Sequence, residues 1–163
     1  MKAQLILIAF ISVLIFSCHK ETAVLNGLEG KWNVSELQFS GNTQKDSIVK
    51  ITNTSLEFDG CDAGDNNTTT SGCNVYITEA GERYKLVYQV QVNKQLGNTL
   101  YLNGVGESSV VNSPAYQKIL LKWSKGYDII ESGDKSLIIN RKYDCIYKGG
   151  VESCERMKVI ASK

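Results

Sequence analysis

The sequence contains very little histidine and proline, with one residue of each in 163. The single histidine, His19, directly follows Cys18 near the start of the chain. The body of the chain therefore has no histidine from which a Ser-His-Asp or Cys-His catalytic site could be built. The sequence also lacks a glycine-rich phosphate loop after a strand and a dinucleotide fingerprint. We predict that the protein is not an enzyme and needs no cofactor.

The charges of the chain are nearly balanced, with 18 basic and 17 acidic side chains. A balanced chain offers no basic patch for nucleic acid and no polybasic segment for anionic lipid. We therefore expect no nucleic-acid partner. No second long apolar run follows the N-terminal one, so contact with a membrane is expected through the N-terminus alone.

The N-terminus has the proportions of a secretory signal. Lys2 precedes a largely apolar run from Leu5 to Phe16, and small Ser17 follows it. The run is too short to span a bilayer, for which about 20 residues are needed. A basic start, a short apolar stretch and a small residue before the cut are typical of a signal peptide, here residues 1–17.

Cys18 directly follows this segment, an arrangement that resembles the lipobox of bacterial lipoproteins. In that family the cysteine thiol receives a diacylglyceryl group and the new N-terminus is acylated, so palmitate is expected on Cys18. The resemblance implies an envelope protein, most often of the outer membrane, with its domain in the periplasm or at the cell surface. Several acyl chains anchor a protein firmly, whereas one chain binds marginally. The alternative is an ordinary signal peptide followed by an incidental cysteine.

Export would bring four further cysteines into an oxidising compartment, where disulfides are the default: Cys61, Cys73, Cys145 and Cys154. Gly149-Gly150 suits a two-residue hairpin turn. A hairpin centred there places Cys145 opposite Cys154 in a non-hydrogen-bonded pair, whose short Cα separation suits a disulfide. Cys61 would then pair with Cys73. Zinc is the alternative, but the sequence has no C-x-x-C spacing, and we predict no metal site.

Most of the chain after residue 28 reads as short strands. In 83–92, Tyr84, Leu86 and Tyr88 alternate with polar residues at period two. The candidate strands are 31–39, 54–58, 74–78, 83–92, 99–104, 117–123, 127–131, 136–147 and 152–160. Ser113-Pro114 offers a helix start, so 117–123 fits a short helix equally well. Consecutive hairpin connections favour a single antiparallel meander β-barrel of about eight or nine strands over residues 28–163, with at most one short helix and a tether over 18–27.

The segment Gly30-Lys31-Trp32 opens the first strand and resembles the first signature of lipocalins and of bacterial lipocalin-like lipoproteins. The resemblance implies a barrel in which glycine permits a tight entry and the indole plugs the closed end. In that family an arginine of a late strand lies across the indole as a cation–π partner. Arg156 is the expected arginine here, and Arg141 is the other candidate.

A second family shares this beginning. Residues 56–58, followed by the Gly-Cys-Asn sequence of residues 72–74, resemble META-type domains of heat-shock-like lipoproteins, which also start with a Gly-x-Trp-like strand. The first motif therefore does not separate a lipocalin-like barrel from a META-like one.

A barrel of about eight strands either fills its interior with side chains or holds one small ligand. The expected function is binding of a small apolar or amphipathic ligand in the barrel. Its lining would come from the apolar faces of two neighbouring strands: Tyr84, Leu86, Tyr88, Val90, Leu100 and Leu102. The alternative is a structural or protein-interaction module with a filled core and no ligand.

Overall fold

The computed structural model describes residues 20–41, 46–62, 73–93, 95–105, 112–142, 144–148 and 151–163, and for residues 144–148 and 151–153 only their backbone. The predicted signal peptide 1–17, the lipidation site Cys18 and His19 lie outside these residues.

The described chain is predominantly β-structure. It begins with helix α1 over residues 20–28, and its other helix is α2 (Pro114–Trp123). The strands are β1 (Gly30–Gly41), β2 (Ser47–Lys50), β3 (Thr54–Phe58), β4 (Cys73–Glu79), β5 (Glu82–Asn93), β6 (Gly97–Gly104), β7 (Gly126–Ser132), β8 (Ser136–Arg141), β9 (Asp144–Lys148) and β10 (Val151–Ser162).

Eight of these strands form a closed antiparallel barrel in the order β1, β3, β4, β5, β6, β7, β8 and β10. The ring closes because β10 pairs with β1, from Asn33 opposite Ser162 to Gly41 opposite Glu155. From β3 to β8 each strand pairs with the next strand of the chain, and only β2 and β9 are passed over, between β1 and β3 and between β8 and β10. This order confirms the predicted meander barrel. A closed ring leaves no free strand edge within the barrel itself.

Two strands lie outside the ring. The second half of β1 pairs with β2, with Ile48 opposite Gln38. The first half of β10 pairs with β9, with Cys154 opposite Cys145. The long strands β1 and β10 therefore extend beyond the barrel as a short sheet in the order β2, β1, β10, β9.

Helix α2 forms where the sequence allows either a helix or a strand. Ser113 caps it, since its Oγ accepts a hydrogen bond from the backbone N–H of Tyr116, and Pro114 begins the first turn. Ile119 and Trp123 are four residues apart and both buried, whereas Leu121 is 72% exposed. This spacing has the period of a helix, so the candidate strand 117–123 is α2.

Helix α1 differs from the expected tether over 18–27, and together with α2 it gives two short helices where at most one was expected. Its Leu25 and Leu28 are buried in the same core as the barrel side chains. The domain therefore starts before residue 28, and residues 20–28 belong to its packed structure. The single strand expected over 136–147 is also divided, into β8 and β9.

Candidate functional site

The predicted ligand lining belongs to the packed core. Leu86, Tyr88, Leu100 and Leu102 each have 0% exposed surface, and Val90 has 4%. A side chain beside a void that admits water keeps accessible area, so no such void touches the four fully buried residues. Side chains occupy the barrel at these positions, as close packing of a protein interior requires.

Tyr88 illustrates how the interior is filled. Its ring meets Phe58 edge to face, with ring centroids 5.1 Å apart, a favoured aromatic geometry. Its hydroxyl donates a hydrogen bond of 2.9 Å to the backbone oxygen of Asp59. Burial raises the pKa of the Tyr88 phenol above its ordinary value. Tyr88 is therefore a neutral, anchored core residue.

Tyr84, at the end of the predicted lining, is only partly buried. Its hydroxyl donates to the carboxylate of Glu82, and its ring lies 6.3 Å from that of Tyr116 between centroids. The hydroxyl of Tyr116 lies within hydrogen-bond distance of two backbone oxygens, those of Lys85 at 2.7 Å and Val105 at 2.8 Å, and donates its one proton there. This part of the proposed lining connects α2 to the barrel wall.

Glu79 at the end of β4 fixes the C-terminal end of α2. Its carboxylate accepts hydrogen bonds from Lys122 Nζ at 2.9 and 3.0 Å and from Trp123 Nε1 at 3.1 Å. Trp123 is fully buried, so its indole N–H needs this acceptor. The helix is thereby held against the barrel by one partly buried carboxylate.

The Gly30-x-Trp32 segment lies at the start of β1. Gly30 has φ of 104°, a region that glycine reaches readily. Trp32 is fully buried, and its indole N–H donates to the backbone oxygen of Leu28 in α1 at 2.6 Å. The motif therefore joins α1 to the barrel.

The cation at Trp32 is Lys163, and the expectation of Arg156 is wrong. Lys163 Nζ lies 4.4 Å from the centroid of the Trp32 ring. In the β1–β10 register Ser162 is opposite Asn33, so Lys163 reaches Trp32, whereas Arg156 is opposite Ser40. At about 3.3 Å per residue, Ser40 lies roughly 26 Å along β1 from Trp32.

The described disulfide joins Cys61 to Cys73, with their Cα atoms 5.6 Å apart. It ties the segment after β3 to the start of β4. Cys154 is also disulfide-bonded, and the observed register makes Cys145 its expected partner. The side chain of Cys145 lies outside the described residues, so this second pairing stays a prediction.

Two surface grooves are lined by none of the residues of the predicted lining. One open groove of about 850 Å³ runs beside the start of β1 and is rich in hydroxyl groups, with Lys31 as its one charged side chain. A second groove, of about 420 Å³, lies beside β2. A row of side chains crosses its floor from strand to strand: Ile48, Gln38, Lys158 and Asn140.

Strand β2 is exposed along its whole length. All four of its residues are exposed, with Ile48 at 65% and Val49 at 45%. Among the described residues only β1 pairs with it. An unpaired strand edge presents backbone donors and acceptors that another strand can bind. Strand β2 was not predicted from the sequence, although the adjacent β-branched residues Ile48 and Val49 favour a strand.

Within the described ranges, no group of three or more histidine, cysteine, aspartate or glutamate side chains is arranged to hold a metal ion. No helix among those residues is both long and apolar enough to cross a bilayer. The chain matches no protein-family model, no curated protein and no solved structure.

Proposed function

We propose that this protein is a lipid-anchored, non-enzymatic protein of the bacterial envelope whose barrel serves as a protein-interaction module. The observation that carries this proposal is the filled barrel interior, in which Leu86, Tyr88, Leu100 and Leu102 have no exposed surface. A carrier of a small apolar ligand needs a cavity in which most of the ligand surface is buried. The interior at these positions leaves no room for one.

The lipid anchor is proposed from the sequence around Cys18. The position of α1 supports its use: only His19 separates Cys18 from residues 20–28, whose Leu25 and Leu28 are packed in the core. Acyl chains on Cys18 would therefore hold the barrel close to the membrane surface rather than on a long flexible linker. Such a protein meets its partners along the surface of the membrane.

The binding element that we propose is the outer edge of β2. The backbone N–H of Ile51, just after β2, donates to Ser35 of β1 at 3.0 Å. Alternate residues of a strand direct their backbone groups to the same side. The backbone of Val49 therefore faces β1, whereas Ile48 and Lys50 direct their N–H and C=O groups outward. An extended segment of a partner can add to such an edge as a further strand.

Native mass spectrometry of the full chain, extracted in detergent from its own host, tests the choice between carrier and interaction module. We expect covalent acyl mass but no second small molecule of defined mass, together with bound protein. A small molecule of defined mass that stays bound after the protein is freed from detergent would support the carrier function and contradict our proposal.

Two variants of one residue test the role of β2. Ile48→Pro removes the outward N–H without removing a hydrogen bond to β1, because proline is tolerated where a strand edge faces outward. Ile48→Thr keeps both the N–H and the β propensity. We expect Ile48→Pro to lose the bound protein and Ile48→Thr to keep most of it. Equal loss in both variants would show that the backbone edge is not the binding element.

A further inference from the structure

The outer edge of β2 is complementary to itself, and we infer that a second copy of this chain binds there. The two β2 strands would pair antiparallel around a two-fold axis at Ile48. This inference deepens the proposed function and rests on its choice of β2 as the binding element.

The backbone of β2 suits this pairing. Ile48 and Lys50 direct their N–H and C=O groups away from β1, as the hydrogen bond from Ile51 to Ser35 indicates. Asp46 directly precedes β2, and continuation of the same alternation would direct its backbone groups outward as well. With the axis at Ile48, these three residues fall at hydrogen-bonded positions, where facing residues exchange two backbone bonds each. The two sheets would continue across the axis.

The side chains give the pairing its register. Antiparallel pairing around Ile48 places Asp46 opposite the partner's Lys50, and Lys50 opposite the partner's Asp46. All of these residues are exposed. Ile48, 65% exposed, would meet the partner's Ile48 between the two ion pairs. Opposite charges and β-branched pairs directly across a strand pair are both favourable.

Other registers lose this complementarity. An axis at Val49 places Lys50 opposite the partner's Ile48, and it places Asp46 opposite the partner's Thr52. An axis at Ser47 places Asp46 opposite the partner's Ile48. Only the axis at Ile48 pairs both charges, so the sequence Asp-Ser-Ile-Val-Lys specifies one symmetric arrangement. Such an isologous contact closes at two copies.

The contact is confined to one short strand, so the dimer should form mainly where copies are concentrated. Attachment of both copies to one membrane raises their effective concentration without any new contact. The test is therefore made on the full chain in the membranes of its own host.

Cysteine cross-linking at the axis gives the first measurement. In full-length Ile48→Cys the two thiols would lie opposite each other, at a Cα separation that a disulfide can span. Ile130→Cys is the matched control, because Ile130 on β7 is 59% exposed and lies outside the proposed contact. We expect covalent dimer on mild oxidation at least about tenfold above the control. Equal yields would overturn the inference.

Charge exchange gives the second measurement, made by cross-linking in the Ile48→Cys background in the same host membranes. Asp46→Lys places like charges opposite each other twice in the dimer, as does Lys50→Asp. From the usual strength of exposed ion pairs, each single variant should dimerise about tenfold more weakly. The double variant should recover wild-type dimerisation, and so should a mixture of the two single variants. No recovery would overturn the inference.

The outcomes separate this inference from the proposed function. A monomeric wild type that still captures a different protein through β2 overturns the self-association and leaves the interaction function standing. If the protein is a dimer that also holds a small molecule of defined mass, the self-association stands and the interaction function is contradicted. Thermal unfolding of each variant checks that the barrel is intact, as expected for substitutions at exposed residues.

Discussion

The ammonium of Lys163 lies over the face of Trp32, 4.4 Å from the ring centroid. The two residues lie at opposite ends of the described domain sequence, and the pairing of β1 with β10 brings them together. Trp32 has no exposed surface, so the lysine covers the one large aromatic side chain that joins α1 to the barrel. The contact therefore holds together the last strand, the first strand and the helix before it.

Lys163→Ala should lower the free energy of unfolding by about 0.5–1 kcal/mol, the range of an exposed cation–π contact. Lys163→Arg should keep most of the wild-type stability, because a guanidinium group also forms a cation–π contact with an indole. Urea unfolding of the full chain measures both. Lys135→Ala, an exposed lysine in the turn before β8, is the control and should change stability by less than about 0.5 kcal/mol. Equal losses at both positions would contradict the contact.

Replacement of both Cys61 and Cys73 by alanine should lower the free energy of unfolding by about 3 kcal/mol, from the loop that their bond closes. The sequence separation of 12 residues is close to the loop length for which that figure applies.

Peptide mapping of the non-reduced protein should recover one peptide pair that contains Cys61 and Cys73. It should recover a second that contains Cys145 and Cys154, and any other pairing would contradict the register of β9 and β10.

Leu102→Ala should lower the free energy of unfolding by about 2–5 kcal/mol, because it opens a cavity in a filled interior. Leu121→Ala, at a leucine that is 72% exposed on α2, is the matched control and should change stability by less than about 0.5 kcal/mol. A loss below about 1 kcal/mol at Leu102 would indicate that its surroundings are already open, as in a ligand-carrying barrel.

The buried tyrosines should make stability fall at alkaline pH. Desolvation by burial raises the pKa of the Tyr127 phenol, which also donates a hydrogen bond of 3.1 Å to the backbone oxygen of Trp123. A tyrosine whose pKa is raised by folding contributes its full stability below its ordinary pKa of about 10. That contribution is lost as pH rises, because the unfolded chain releases the proton first.

Urea unfolding of the wild type between pH 8 and pH 11, taken as a rough experimental window around that ordinary value, should show this fall. Tyr127→Phe should give a shallower dependence, because one of the protons is no longer released on unfolding. Tyr88, whose pKa burial also raises, would account for part of the remaining dependence. An unchanged slope in Tyr127→Phe would contradict the assignment.

Cys18→Ala should abolish labelling of the protein by palmitate and release it from the membrane fraction of its host, because acyl chains are the proposed anchor. The variant that lacks both Cys61 and Cys73 is the control and should keep its label. Retention of Cys18→Ala on the membrane without label would contradict the lipid anchor.

The barrel was predictable because several strands carry clear local signals. The alternation from Tyr84 to Val92 predicts a half-buried strand, and β5 is observed over Glu82–Asn93. The Gly149-Gly150 sequence predicts a hairpin register in which Cys145 is opposite Cys154, and the same register is observed. Turn chemistry and period-two alternation act over a few residues, so they are readable without the rest of the fold.

The features that were missed depend on contacts between distant parts of the chain. Residues 20–28 gain their helix by packing Leu25 and Leu28 against the barrel, and nothing local marks that surface. The cation over Trp32 depends on the β1–β10 register, which includes a bulge between Val34 and Glu36. A shift of one residue along either strand would bring another side chain to the indole. The register cannot be read from the sequence, so Arg156 was expected only from the family resemblance.

In the candidate site, too, the local pattern was predictable and the long-range packing was not. The alternating apolar faces of β5 and β6 were correctly read as facing inward, since Leu86 and Leu102 are fully buried. Whether an inward face lines a void or packs a core depends on the volumes of all the side chains opposite it. That volume is a property of the closed ring and not of any one strand.

The closure of the ring by β10 also has a consequence for the order in which the molecule folds. The chain is synthesised from its N-terminus, so β1 lacks its partner strand β10 until residues 151–162 have been made. Until then β1 and β8 are the open ends of an unfinished sheet, and neither Trp32 nor Leu137 has its final surroundings. Pairing between segments so far apart in sequence is slow. We therefore expect the last step of folding, the docking of β10, to limit the rate at which this protein reaches its native state.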